Sequence, residues 1–335
     1  MRIVSTTRLT PAQRKLLLAA APGAEVIDRQ CESVEEMAAL LRGGCEVLTA
    51  FRVPDSVAEL TARLRWIHLL TAGADQVLRK PANFRSIVIT TSSGIHCSAI
   101  AQYALGSILT YVHRFHLTTR AQLSRTWLKR QPFMDNVREL RGATIGIVGY
   151  GSLGREVARL SQAFGMKVLA LKRDPVQHAD PGWFLPGTGD PHGFIPDRFF
   201  GPEQRAELLA QSDFIVVTLP LTPPTRCFIG AREFEAIKPD AYLVNVGRGE
   251  VIDQEAMIGA LQEKRLGGAG LDVFEREPLE AESPLWDLEH AILTPHVAGS
   301  FRGYLDRACE LFAENLRRFV GGAPLLNQVD LALGY

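Results

Sequence analysis

The 335-residue chain has no charge excess: 37 lysines and arginines offset 37 aspartates and glutamates, so the formal net charge is zero. Without a basic surplus no global field gathers nucleic acid or an anionic membrane, and a small-molecule partner becomes the expectation. Cysteine is equally sparse. Cys31, Cys45, Cys97, Cys227 and Cys309 are odd in number, scattered and without metal-ligand spacing, which argues against a disulfide framework or a metal centre and for reduced thiols. No apolar run reaches membrane-spanning length, and the opening MRIVSTTRLT lacks the charged start and apolar stretch of a secretory signal. A cytoplasmic protein without nucleic-acid or membrane partners is expected.

What the chain does have is apolar material, 46% of its residues, at a length beyond which one core stops growing. Two domains follow from that. Short β-branched runs at Arg2 to Ser5, Glu25 to Asp28, Val47 to Ala50, Trp66 to Leu70 and Ile87 to Thr90 alternate with helical patterns at Pro11 to Ala21, Val34 to Leu41 and Ser56 to Leu64. Such alternation indicates parallel strands joined by crossover helices.

A long apolar helix from Ser98 to His116 leads to a second series. Its strands are expected at Ala143 to Gly149, Lys167 to Leu171, Phe214 to Leu219, Ala241 to Val246, Gly268 to Asp272 and Ala291 to Thr294, which suits a doubly wound sheet. The last helix, Arg302 to Val320, follows the completed sheet and is read as returning to the first domain. The fold class is therefore α/β, with two Rossmann-like, doubly wound parallel-sheet domains, the first discontinuous. The boundaries are set at 1–102 with 303–335 for one domain and 103–302 for the other. The stretch from His178 to Pro202, rich in glycine and proline, fits neither series and reads as a long, solvated insertion.

The first strand of the second series runs into Gly149-Tyr150-Gly151-Ser152-Leu153-Gly154, a G-x-G-x-x-G turn between strand and helix. Alone the pattern is weak; in a strand-turn-helix-strand context it reads as a dinucleotide fingerprint. Gly149 would allow the tight turn, Gly151 the approach of the pyrophosphate, and Gly154 the packing of helix on strand. The helix N-terminus would offer the amides of Ser152 and Leu153 to the phosphates.

Four segments in order, GIVGYGSLGREVA from Gly146, LVNVGRGEVID from Leu243, GLDVFEREPL from Gly270 and LTPHVAGS from Leu293, resemble the D-isomer-specific 2-hydroxyacid dehydrogenases. The resemblance implies an NAD(P)-dependent oxidoreductase acting on a small 2-keto or 2-hydroxy acid such as glyoxylate or hydroxypyruvate. A dinucleotide-sensing scaffold of the same fold stays as the alternative reading. The first domain, flavodoxin-like, would bind substrate and the second the dinucleotide, in a homodimer. The family's catalytic arginine, glutamate and histidine fall on Arg248, Glu277 and His296. The chemistry needs these types independently: a planar fork for the carboxylate, a proton donor for the carbonyl oxygen, and a carboxylate to orient the imidazole. The resemblance further assigns Ala72 and Gly73 to the substrate carboxylate, and Leu219, Pro220, Thr225, Val246, Gly247, Asp272 and Ala298 to the dinucleotide.

The sequence departs from the NAD-specific pattern at one point. Where an aspartate would accept the ribose hydroxyls, the second nucleotide strand ends Leu171-Lys172-Arg173. Two cations suit a 2′-phosphate, so NADP is favoured, with NAD left open by Asp174 one place on.

Overall fold

A computed structural model describes residues 1–334, the side chains of Pro132, Asp135 and Asn136 aside. The chain divides into two compact units, one of Met1–His96 with the stretch from Phe301 onward, the other Cys97–Ser300. The first division falls at His96/Cys97 rather than at 102, because Cys97 opens a sixteen-residue helix, Cys97–Val112, which goes whole to the second unit.

In the first unit β1 (Arg2–Ser5), β2 (Glu25–Asp28), β3 (Val47–Ala50), β4 (Trp66–Leu69) and β5 (Val88–Thr91) form a sheet of order β2-β1-β3-β4-β5. Every pair is parallel. The order is the flavodoxin-like one, whose ligands bind beyond the carboxyl ends of the strands. β3 and β4 are buried along their whole length, hence their continuous apolar reading. The last helix, Tyr304–Gly321, stops at Gly322, whose φ of +70° suits glycine, and it lies against the first helix, Pro11–Ala20. Its Phe312 packs on Trp66, ring centroids 5.1 Å apart, and the fully buried Trp66 indole donates to the Thr90 hydroxyl at 2.9 Å. Truncating such an aromatic costs about 3–5 kcal/mol.

The second unit carries seven parallel strands: β6 (Thr144–Val148), β7 (Lys167–Leu171), β8 (Arg198–Phe200), β9 (Phe214–Val217), β10 (Tyr242–Asn245), β11 (Gly268–Leu271) and β12 (Ala291–Leu293). Their order is β12-β11-β10-β9-β6-β7-β8. The order reverses between β6 and β9, the switch point where a doubly wound sheet opens a ligand crevice. The helix Cys97–Val112 covers one face, set close against the fingerprint helix Ser152–Ala163.

Three expectations need correction. The helix from Ser98 to His116 breaks at Arg114, which takes a left-handed φ of 57°, and resumes as Phe115–Leu123. The helix from Ser56 to Leu64 is a single turn, Val57–Leu60, because the Thr61 hydroxyl leaves the helical path to accept from the Cys45 amide at 3.1 Å. The segment 178–202 is not all irregular: Arg198–Phe200 pairs with Leu169–Leu171 as β8. Among the described residues no helix is long and apolar enough to cross a membrane.

Candidate active site

The fingerprint turn begins where β6 ends. Gly149 sits at φ +111°, and a Cβ there would lie 2.7 Å from Thr218 Oγ1. On Gly154 it would lie 2.1 Å from the Gly149 carbonyl oxygen, so the helix can meet the turn only without a side chain. At Gly151 a Cβ would meet nothing within 4 Å. That open space, beside the amides of Ser152 and Leu153 at a helix start whose Gly151 offers no side-chain cap, has the shape and charge that a pyrophosphate requires.

Parallel pairing of Val148 with Leu171 puts the end of β7 beside this turn. Lys172, half-buried, donates through Nζ to the Gln177 carbonyl, and burial lowers its pKa from the ordinary lysine value. Arg173 is exposed. Asp174 turns back into its own loop, where one carboxylate oxygen accepts from the amides of Val176 (3.0 Å) and Gln177 (3.4 Å).

Beyond β9, Leu219 is half-buried and Pro220 exposed. Thr225 closes the loop that carries it, since its hydroxyl donates to the Pro220 carbonyl at 2.7 Å and accepts from the Thr222 amide at 2.7 Å. Val246 and Gly247 are buried, and a Cβ on Gly247 would lie 2.6 Å from the Leu219 carbonyl oxygen, so the ends of β9 and β10 approach closely.

Arg248 follows at once. Asn245, 1% exposed, staples its turn: the side-chain amide donates to the Arg248 carbonyl at 3.1 Å while its oxygen accepts from the Gly247 amide at 3.1 Å. A Cβ on Gly249 would lie 1.9 Å from the Phe274 carbonyl carbon. The loop carrying Arg248 thus rests on the backbone of the loop leading to Glu277. The guanidinium, half-buried, donates to the Gly247 carbonyl at 2.8 Å.

Glu277 accepts from the Phe274 amide at 3.1 Å with one oxygen and meets His296 Nδ1 at 2.8 Å with the other. The carboxylate fixes the hydrogen on Nδ1 and leaves Nε2 as the edge that can exchange a proton with a ligand. His296 itself holds a left-handed φ of 54°, uncommon for a residue with a Cβ. Asp272 explains how. Only 2% exposed, it accepts from the Thr294 hydroxyl (2.5 Å) and Val297 amide (2.8 Å) on one oxygen and from the Ala298 amide (2.9 Å) on the other, while its carbonyl accepts from the His296 amide at 2.9 Å. Thr294 gives its one hydrogen to Asp272, so the Tyr103 hydroxyl, 2.7 Å away, donates to Thr294. Asp272 and Ala298, which the family resemblance assigns to the dinucleotide, also lock the loop that displays His296. Asn245, Thr294 and Tyr103 carry no assignment from the sequence; a polar residue at the end of an apolar strand is the available signal for Asn245 and Thr294, and nothing marks Tyr103 within its helix.

The loop expected from the sequence to receive the substrate carboxylate lies in the first unit. Thr71 to Ala74 follow the carboxyl end of β4, with Ala72 exposed, Gly73 half-buried, and the Thr71 hydroxyl donating to the Gly73 carbonyl at 2.8 Å.

The family model for the D-isomer specific 2-hydroxyacid dehydrogenase, NAD binding domain, matches residues 105–298, more than half of the chain. The chain belongs to this family. It is 35% identical over 275 residues to glyoxylate reductase from Thermococcus gammatolerans, covering 81% of this chain and 78% of that protein. It is 34% identical over 266 residues to (S)-sulfolactate dehydrogenase from Chromohalobacter salexigens, covering 78% and 81%. A solved D-isomer specific 2-hydroxyacid dehydrogenase from Xanthobacter autotrophicus, in complex with NADPH and MES, matches with a TM-score of 0.78 at 28% identity over 100% of this chain and 99% of that one. The protein is an oxidoreductase of 2-hydroxy acids with a nicotinamide dinucleotide cofactor.

Proposed function

We propose that this dehydrogenase reduces a 2-keto acid of glyoxylate or hydroxypyruvate size, with NADPH preferred over NADH. The observation that carries the chemistry is the imidazole–carboxylate pair of His296 and Glu277, 2.8 Å apart beyond the carboxyl ends of the sheet that also bears the fingerprint. Relatives named for glyoxylate reduction support the substrate size. The amides of Ala72 and Gly73 are assigned to the substrate, and Gly149 to Gly154, Leu219, Pro220, Thr225, Val246, Gly247, Asp272 and Ala298 to the dinucleotide.

Arg248 receives the carboxylate through its planar fork. A reduced nicotinamide dinucleotide held along the fingerprint turn would supply the hydride for C2. His296 gives the proton from Nε2 to the carbonyl oxygen as negative charge develops there, and Glu277 stabilises the ring orientation throughout. Asp272 holds the His296 loop in place during the transfer.

NADPH preference rests on Lys172 and Arg173 at the end of β7 and on Asp174 being engaged with its own loop. One charge-assisted phosphate contact corresponds to about ten- to hundredfold preference. A panel of 2-keto acids assayed with NADH and NADPH tests activity and cofactor together. The expected result is turnover favouring NADPH, reversed toward NADH in the Lys172→Asp, Arg173→Ala double variant; equal use of both cofactors by both proteins would contradict it. The chain forms a homodimer through the apolar side chains exposed after the covering helix, among them Phe115, Leu123, Trp127 (98% exposed) and Met134. A sedimentation experiment on Trp127→Glu checks this, with a wild-type monomer as the contrary outcome.

A further inference from the structure

One turn into the fingerprint helix lies a guanidinium, Arg155, with none of its surface exposed. A charge is almost never buried so completely without partners. The partners it has come from the insertion: its terminal nitrogens donate to the Asp190 carbonyl at 2.5 Å and the His178 carbonyl at 2.7 Å, and Nε faces the Asp180 carboxylate at 3.4 Å. The guanidinium also lies over the Tyr150 ring, 4.7 Å from its centroid.

Tyr150 is the second residue of the fingerprint itself, and its hydroxyl donates to Asp190 at 2.8 Å. Asp190 is 6% exposed and accepts in addition from the amides of Phe194 (2.9 Å) and Ile195 (3.0 Å). The next residue of the helix, Glu156, 1% exposed, is paired through both oxygens with Arg159 of the same helix (2.7 and 2.8 Å) and accepts in addition from the Gly189 amide of the insertion at 2.6 Å. The path is tight, since a Cβ on Gly193 would lie 2.6 Å from the His178 carbonyl oxygen. A solvated, tolerated loop does not need a fully buried guanidinium and a buried carboxylate oxygen from a dinucleotide-binding helix. The insertion and the first turn of that helix form one interlocked body.

The near end of that body is Gln177, whose carbonyl takes one of the three N–H donors of Lys172. We infer that the segment 177–197 is a selectivity wall for the dinucleotide, in which the Tyr150–Asp190–Arg155 clasp keeps the Lys172 ammonium at the 2′ position of the adenosine ribose. Tyr150, Arg155 and Asp190 are then positioning residues acting through Lys172. The inference rests on the NADPH preference proposed above.

The test compares Asp190→Asn and Tyr150→Phe with the wild type, titrating NADPH and NADH separately by nicotinamide fluorescence, without turnover, and following cleavage of the insertion by limited proteolysis. In each variant the insertion is cleaved faster and the Kd for NADPH rises about five- to tenfold, while that for NADH rises by less than about twofold. A loosened insertion with an unchanged NADPH-to-NADH ratio overturns the inference, as does a ratio and a cleavage rate both equal to those of the wild type. If Asp190→Asn does not fold, Tyr150→Phe, which keeps the ring, decides alone. Failure of the underlying preference looks different: the wild type itself binds NADH more tightly, or binds neither.

Discussion

Two histidines, one in each unit, show what the fold does with the same side chain. His296 is 50% exposed and held by a carboxylate at Nδ1. His68, on β4, is fully buried against Phe312, the rings stacked 5.1 Å apart. Its Nδ1 lies 2.8 Å from the Thr90 hydroxyl and its Nε2 3.1 Å from the Ser92 hydroxyl. The Thr90 oxygen already accepts from Trp66, and the Ser92 hydroxyl donates to the Leu69 carbonyl at 3.0 Å. Thr90 therefore donates to Nδ1 and Ser92 accepts from Nε2, an arrangement that satisfies the neutral ring completely. One histidine has a charged partner and an open edge; the other has neutral partners and no edge. Proton transfer needs the first arrangement, and a packed core tolerates only the second.

The sharpest way to test this contrast is to remove each function in turn. His296→Ala should lower kcat for keto-acid reduction by about 10²- to 10⁴-fold, the usual worth of a positioned proton donor. Its thermal stability should stay within about 0.5 kcal/mol of the wild type, as for an exposed side chain without a packing role. Steady-state kinetics and a melting curve on the same sample check both halves. Near-normal turnover would remove His296 from the chemistry.

This contrast was legible in the sequence to an uneven degree. Of the twelve strands among the described residues, eleven are visible in the sequence as short apolar runs, most of them with β-branched residues, and the fingerprint glycines announce their turn. Arg248, Glu277 and His296 stand out because they sit inside ordered motifs, and no such motif surrounds His68. β8 was missed because three residues, Arg198 to Phe200, between Pro196 and Gly201 are too short to show a period. The side chains of Asn245, Asp190 and Asp272 accept from backbone amides two, four and five, and twenty-five and twenty-six residues on respectively, a range that no one sequence spacing announces. Nor does the sequence mark Arg155 and Glu156, two charged residues whose burial shows only in the folded helix.

A second test weakens what holds His296 without touching the ring. Asp272→Asn keeps the size of the side chain but sets an NH₂ group against the amide of Ala298 or Val297. A buried polar clash of that kind costs about 1–3 kcal/mol. The His296 loop, at its left-handed φ, would then relax, and kcat should fall about tenfold or more because a proton donor displaced by an ångström no longer reaches its acceptor well. Wild-type stability together with wild-type kcat would show that the clasp does not matter.

The smallest effect concerns the buried ring. Burial pushes the His68 pKa down to about 3, whereas in an unfolded chain the ring titrates near 6.5. The unfolded chain therefore binds a proton that the folded one refuses, and stability falls as pH drops through 6.5, continuing to fall until about 3. Each pH unit within that window corresponds to about 1.4 kcal/mol, so lowering the pH from 6.5 to 5.5 should remove roughly 1 kcal/mol, allowing for partial titration at the upper end. His116 and His290, half-buried and also held below the ordinary histidine value chiefly by burial, contribute in the same direction, so the wild-type slope alone is not diagnostic. His68→Gln cannot titrate and can still hydrogen-bond Thr90 or Ser92. Urea unfolding of both proteins at pH 7.0, 6.0 and 5.0 should show the wild type losing more stability over that range than the variant, whatever their offset at pH 7.0. Parallel losses would mean that His68 takes up its proton in the folded state as readily as in the unfolded one, and that the two histidines differ less than their surroundings imply.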